Sequence, residues 1–205
     1  MRPLALTLAS LSAASLFVGG VALAADSKTS AAAASPAPHT QAWIVDKAAS
    51  RIRFKSAFSG MAFEGGFGRW DAQINFDPKN LAGSKATVSV DVASATTGDK
   101  DRDETLPSGD WFNAPKFPRA TFVTTGIKSL GGDRYQAQGN LTLKGVTKPV
   151  TLPFTLTIQG DTARMNGQAT LNRSQFGVGQ GQFAGADTVP YEVTVTVAVV
   201  AKRGA

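Results

Sequence analysis

A chain of 205 residues with 21 basic side chains, 15 acids, one histidine and no cysteine has enough material for one domain, and it excludes several chemistries at once. Without a thiol there are no disulfides, no thiol catalysis, no haem attachment through cysteine and no lipid anchor on cysteine. The formal charge of +6 suits an anionic lipid surface, or plain solubility, better than nucleic acid, so no nucleic-acid partner is expected.

The N-terminus reads as an export address: Met1, Arg2, an apolar run from Leu4 to Leu23 and the small-residue pattern Ala22-Leu23-Ala24. Cleavage after about Ala24 is expected, because Ser10, Ser12, Ser15 and the Gly19-Gly20 pair interrupt the run that a retained anchor needs. Residues 25–40 are Ala, Ser, Pro and Thr with too little apolar surface to fold, and they read as a flexible linker. His39, the single histidine, lies there, which leaves the folded part without a His-centred metal site or a Ser-His-Asp triad. Residues 41–205 form the domain.

From residue 51 onward the periodicity is two, the spacing that puts alternate side chains on opposite faces of a strand. Ile52, Phe54, Ser56 and Phe58 alternate with Arg51, Arg53, Lys55 and Ala57; Trp70, Ala72, Ile74 and Phe76 alternate with Asp71, Gln73 and Asn75. Val88, Val90 and Val92 follow, then Leu152, Phe154, Leu156 and Ile158, then Met165, Gly167, Ala169 and Leu171. The last strand, Tyr191 to Val199, has valine at every second position. Strands with one dry and one wet face belong to antiparallel sheets. Turn signals at Asp77-Pro78-Lys79-Asn80, Gly131-Gly132-Asp133, Lys144-Gly145 and Gly160-Asp161 make a meander of about eight strands, which closes into a barrel or splits into a sandwich. One stretch departs from this pattern: Asp99, Asp101, Asp103 and Glu104 favour the start of a helix, Pro107 ends it, and Ser108 caps a second turn carrying Trp111 and Phe112. A short helical segment is therefore expected near residues 99–113.

Catalytic and metal motifs are weak. The acidic cluster lacks the glycine and the distal glutamate of an EF-hand loop and reads as a solvated helix start. Glu64 and Asp71 are the carboxylates a glycosidase reading would take, with nothing in the sequence to bring them together. Gly65, Gly66, Gly68 and the run Gly177-Val178-Gly179-Gln180-Gly181 supply neither a phosphate-loop lysine nor a following helix; turns, bends and close approach account for them. No catalytic or metal-binding residue is assigned. The aromatic inventory is richer: all three tryptophans and every phenylalanine except Phe17 follow the leader. Phe58, Phe63, Phe67, Trp70 and Trp111, with Phe112, Phe117, Phe122, Phe176 and Phe183, are candidates for the apolar lining of a cavity, with ordinary core packing as the alternative for each.

Three stretches in order carry a resemblance. Leu106-Pro107-Ser108-Gly109-Asp110-Trp111-Phe112-Asn113, continuing to Phe117-Pro118-Arg119-Ala120-Thr121-Phe122, resembles the first motif of the YceI family. Gly139 to Val150 and Asn172-Arg173-Ser174-Gln175-Phe176-Gly177-Val178-Gly179 resemble the second and third. The resemblance implies an all-β, eight-stranded antiparallel lipocalin-like barrel, a periplasmic location, and a polyisoprenoid ligand such as an isoprenoid quinone or polyprenyl phosphate. It implies no catalysis and no cofactor besides the bound lipid. Arg119 and Arg173, inside the matched motifs, are the candidate head-group residues, and transient contact with a membrane surface goes with such a role. Trp111 stands where the family pattern usually has Phe. Two rivals stay open: a fatty acid or amide carrier, and a stress or interaction protein with a filled barrel.

Overall fold

A strand with one apolar face needs that face buried and gains from having its edges paired, and in this chain a single sheet meets most of both needs by closing on itself. The computed structural model describes residues 41–204; the leader and the linker lie outside the described residues. Eleven strand segments appear in chain order: β1 (Ala42–Val45), β2 (Arg51–Phe58), β3 (Met61–Phe67), β4 (Trp70–Asn75), β5 (Lys85–Asp91), β6 (Ala95–Thr96), β7 (Arg119–Gly131), β8 (Arg134–Leu143), β9 (Val146–Gln159), β10 (Thr162–Asn172) and β11 (Glu192–Arg203).

These segments form eight strand paths. β1 with β2, β3 with β4, and β5 with β6 are each one path interrupted midway, since β1 pairs with β4 and β2 with β3, while β4 pairs with β5 and β3 with β6. The interruptions are the turn at residues 46–50, the Gly68-Arg69 step and a single 3-10 turn at Val92–Ser94. Every later neighbour is a hairpin partner, from β7–β8 to β10–β11. β11 closes the ring along its whole length, with Thr194–Ala198 on β2 and Ala201–Arg203 on β1. The protein is thus an all-β, closed, eight-stranded antiparallel barrel, as the alternation and the resemblance together led one to expect.

The wall is incomplete at the end where β10 passes into β11. β9 pairs with β8 from Val146 to Thr155, but with β10 only from Phe154 to Gln159. Pro149 and Pro153 lie in the segment that β10 leaves uncovered. Proline has no N–H to give a ladder and is confined to strand edges, so the sequence here writes an edge into an otherwise edgeless barrel.

The helical segment is shorter than expected. α1 runs only from Lys100 to Thr105, capped by the Asp99 side chain accepting from the Arg102 N–H. Residues 106–117 are a chain of tight turns, with the Phe112 N–H donating to the Leu106 carbonyl and the Asn113 N–H to that of Ser108. Pro107 stops the helix as expected, but the later N–H groups find turn acceptors, and Asn113 adopts a left-handed φ of 50° that no helix continues through.

The acidic cluster belongs to this turn. Burial alone acts to raise the Asp103 pKa. Hydrogen bonds from the Thr96 and Thr97 hydroxyls and from the Thr97 and Gly98 N–H groups outweigh it, and hold the carboxyl below its ordinary value. A depressed folded-state pKa contributes stability above the unfolded value and loses it as pH falls through the folded one. In an acid titration the Thr97 and Gly98 amides should therefore lose hydrogen-exchange protection only below the ordinary carboxylate range. Asp103→Ala should show the unprotected turn already at neutral pH; equal protection in both proteins at neutral pH would refute this role.

Candidate ligand-binding cavity

Two apolar clusters occupy the ends of the barrel. At the loop-rich end Phe54, Val92, Leu106, Phe112, Phe176 and Val178 pack together. At the other, Trp43, Phe76, Ala163, Val199 and Ala201 do so, and the Trp43 indole donates to the Phe76 carbonyl at 2.9 Å. Tyr135 adds an edge-on contact to Phe76 and a stack on Phe154, at 5.6 and 5.5 Å between ring centres.

Between the clusters the barrel is not filled. A cavity of about 310 Å³ runs from Trp43 to Val189, lined almost wholly by the inward alternates of the strands. Among large side chains of the described residues only Val92 is completely buried. Inward residues such as Leu152, Phe154, Val193 and Val195 are half-exposed because they face this space. Close-packed interiors leave few voids larger than a water, so a cavity of this size inside a small domain is a binding feature.

Glycines help to shape it. Phe54 lies directly across from Gly65, whose missing Cβ would stand 2.3 Å from the Phe54 Cζ. Gly139 makes the same room for Phe122, with 2.5 Å to its Cζ. Each large ring lies flat against the wall over a glycine, and the axis of the barrel stays open. Gly65 thus serves close approach within a strand, whereas Gly177, Gly179 and Gly181 have positive φ in the loop after β10.

The loop-rich end is covered by a lid of two segments, residues 106–117 and 173–191. The Asp110 carbonyl joins them, accepting from the Gly179 and Gln180 N–H groups and from the Lys144 ammonium. Lys144, in the β8–β9 turn, also donates to the Gly177 carbonyl at 2.6 Å, and burial lowers its pKa against the opposing charge of Asp110.

Arg173 organises the second segment. The residue is 4% exposed, and its guanidinium donates to the carbonyls of Val178, Gly179, Phe183, Gly185, Val189 and Pro190 at 2.7 to 3.0 Å. Its plane sits between the rings of Trp111 and Tyr191, at 5.9 and 5.4 Å. Carbonyl dipoles offset its charge, and burial lowers its pKa with little consequence for a guanidinium.

The expected site residues divide accordingly. Phe63, Phe67, Trp70, Trp111 and Phe112 line the cavity, as do Phe122 and Phe176. Three aromatics do not. Phe58 and Phe183 meet each other at 6.4 Å, with Phe183 packing on Trp111 at 5.2 Å at the outer rim of the lid. Phe117 covers Gly145.

Both arginine assignments are corrected. Arg119 faces outward beside Ser89, because its strand neighbour Ala120 takes the inward position. Arg173 reaches the cavity wall, but its N–H groups all serve the lid backbone, leaving none for a head group. Glu64 and Asp71 also point outward. Glu64 is paired with Lys55 and Arg53, and Asp71 with Lys47; these partners lower both carboxyl pKa values, so neither holds a transferable proton in neutral solution. Ser56 was visible in the sequence as one polar residue on an apolar face, and it lines the cavity.

Comparison with known proteins places this barrel. A UPF0312 protein of Pseudomonas aeruginosa is 37% identical over 182 residues, 84% of this chain and 86% of its own length. Protein YceI of Escherichia coli O157:H7 is 37% identical over 161 residues, 77% and 73% of the two chains. The crystal structure of Burkholderia cenocepacia BcnA superposes with a TM-score of 0.74 at 36% identity, covering 76% of this chain and 98% of that one. A polyisoprenoid binding domain of Saccharophagus degradans, implicated in plant cell wall breakdown, shares the fold with a TM-score of 0.62 at 14% identity, over 81% of this chain and 100% of its own. The model of the YceI-like domain matches residues 43–201, from the first residue lining the cavity to the last, and the chain accordingly belongs to the YceI family.

Proposed function

We propose that this protein is an exported, non-enzymatic carrier that holds a long isoprenoid chain inside its barrel and works in the periplasm. The observation that carries the reading is the cavity: an apolar interior left open between two packed ends. A filled interior was the mark of the rival interaction protein, and the interior is open. Export rests on the Ala22-Leu23-Ala24 pattern and the apolar run before it.

Size gives the reading a quantitative edge. An apolar cavity of about 150 Å³ takes one benzene, so about 310 Å³ takes on the order of twelve carbons without movement of the walls. At about 0.8 kcal/mol per methylene that is roughly 10 kcal/mol gross, against association and ordering costs of at least about 4. Tight binding therefore needs a longer chain and some parting of the walls, which the uncovered β9 edge permits.

Lipids extracted from the protein purified out of the periplasm should contain one recurring long-chain species by mass spectrometry. Delipidated protein should take up isoprenoid quinone or polyprenyl phosphate, and bind farnesyl chains more tightly than geranyl ones. A preparation that is always empty and takes up neither ligand would refute the carrier. Preference for palmitate or oleamide over every isoprenoid would transfer it to the fatty acid class.

A further inference from the structure

We infer that the outward wall of β2, β11 and β10, with the uncovered stretch of β9 beside it, is a docking face for an anionic phospholipid bilayer and sets the gap between β9 and β10 against the lipid. The inference rests on the carrier reading and adds to it the partner with which the ligand is exchanged, and the side of the barrel that meets it.

Strand register gathers the charges. Ile52 and Phe54, Met165 and Ala169, and Val195, Val197 and Val199 face the cavity, so the residues between them face out. In successive rows across the sheet Lys55 stands beside Thr194 and Thr170, Arg53 beside Thr196 and Gln168, and Arg51 beside Ala198 and Asn166. Val200 beside Arg164, and Ile44 beside Lys202, continue the wall. All five cations are exposed, and the outward positions of these three strands carry one acid, Glu192 at the lid end. Glu64 on β3 takes Arg53 and Lys55 together, which leaves that group positive. Arg51, Arg164 and Lys202 have no carboxylate partner among the described residues. Asp46 and Asp161, at the margins, are held by the Ala48 and Ala49 N–H groups and by Arg203.

The opposite wall is near balance. There β4, β5 and β7 set Asp71 and Asp91 against Lys85, Arg119 and Lys128. A negative surface therefore attracts one side of the barrel and orients it.

The position of the gap selects a bilayer over a soluble acidic partner. β10 leaves β9 after Gly167, so Gln168 and Thr170 belong both to the basic wall and to one margin of the gap. Lys148 stands on the other margin: it has the inward parity of Val150 and Leu152, yet it is exposed, because β10 does not cover it. Ile44, 65% exposed beside Lys202, offers the head-group layer an apolar side chain. A lipid that leaves a bilayer touching this wall reaches the apolar cavity through the gap without crossing water.

The test sediments the delipidated protein with vesicles of equal parts phosphatidylcholine and phosphatidylglycerol, and with vesicles of phosphatidylcholine alone. Binding should require phosphatidylglycerol and weaken with added salt. The combined variant Arg51→Gln, Arg164→Gln, Lys202→Gln should bind the mixed vesicles about a hundredfold less tightly, each cation counting for about fivefold. Arg119→Gln, Lys128→Gln, Arg134→Gln removes the same charge from β7 and the start of β8, and should lose less than about fivefold. Both variants should take up free farnesol as the wild-type protein does, but only the first should be slow to extract a fluorescent isoprenoid from mixed vesicles. Equal losses in the two variants would show that net charge alone attracts the protein, and would overturn the face. Equal binding to both kinds of vesicle overturns it too. Retention on polygalacturonate without vesicle binding overturns the bilayer as the partner. Farnesol uptake without vesicle binding overturns the docking and leaves the carrier standing; vesicle binding by a protein that takes up no isoprenoid removes the carrier and leaves the docking face.

Discussion

Replacing Arg173 by alanine should destabilise the protein by about 4 kcal/mol or more, a large part of the stability of an ordinary domain. The reason is the number of groups one side chain satisfies: six backbone carbonyls of residues 178–190 accept from it, and only a single 3-10 turn at Gly181–Phe183 lies there besides irregular loop. Each buried carbonyl left unpaired is worth on the order of 1 kcal/mol or more, and water that enters to solvate them opens the lid. The rings of Trp111 and Tyr191 lose the plane between them in the same step. Arg173→Lys, which restores the charge but not the planar fork of donors, should recover less than half of the loss. Urea unfolding gives the energy, and hydrogen exchange over residues 106–117 and 173–191 gives its location. A loss below about 1 kcal/mol with lid exchange unchanged would show that the carbonyls are satisfied without the guanidinium. Because the lid borders the uncovered edge of β9, Arg173→Lys should also release bound isoprenoid faster than the wild-type protein.

Ala169→Phe should abolish ligand uptake, lowering affinity at least about tenfold, while the barrel stays folded. Ala169 faces the cavity from the middle of β10, opposite Val195 of β11. A phenyl group placed there enters open space, so the usual penalty of overpacking is small, but it takes room equal to about half of the chain the cavity holds. The control is the adjacent position. Thr170 is exposed on the outer face, and Thr170→Phe adds the same ring to the opposite side of the same strand. Uptake by the Thr170 variant should match wild type. If both variants bind alike, the ligand does not occupy the barrel, and the surface becomes the place to look.

Several features were legible in the linear chain because they are local. Period-two alternation assigned Ile52, Phe54 and Ser56, Leu152, Phe154 and Leu156, and Val193 to Val199 to one face, and that face is the one turned inward. The Lys144-Gly145 turn was legible too, and both of its residues have the positive φ that a tight hairpin requires. Other features needed the assembled barrel. Arg173 sits in a motif that reads as a ligand contact, yet its acceptors lie five to seventeen residues further along, in a loop with no periodic signal. Phe58, Phe117 and Phe183 have the same composition signal as Phe63 and Phe122, but lid packing carries them away from the interior.

By itself, then, the sequence determined an antiparallel meander of about eight amphipathic strands, its turns, and the side of each strand that is dry, because strand periodicity and turn chemistry depend on neighbours along the chain. Only the tertiary structure decided that the meander closes through β11 onto both β1 and β2, that its centre stays open, and that Ser56 and Trp111 are left without partners. Closure depends on strands at opposite ends of the chain meeting. An empty volume depends on side chains facing each other across the barrel, with Phe54 and Phe122 held to the wall by glycines on neighbouring strands. Those pairings exist only once the sheet has closed.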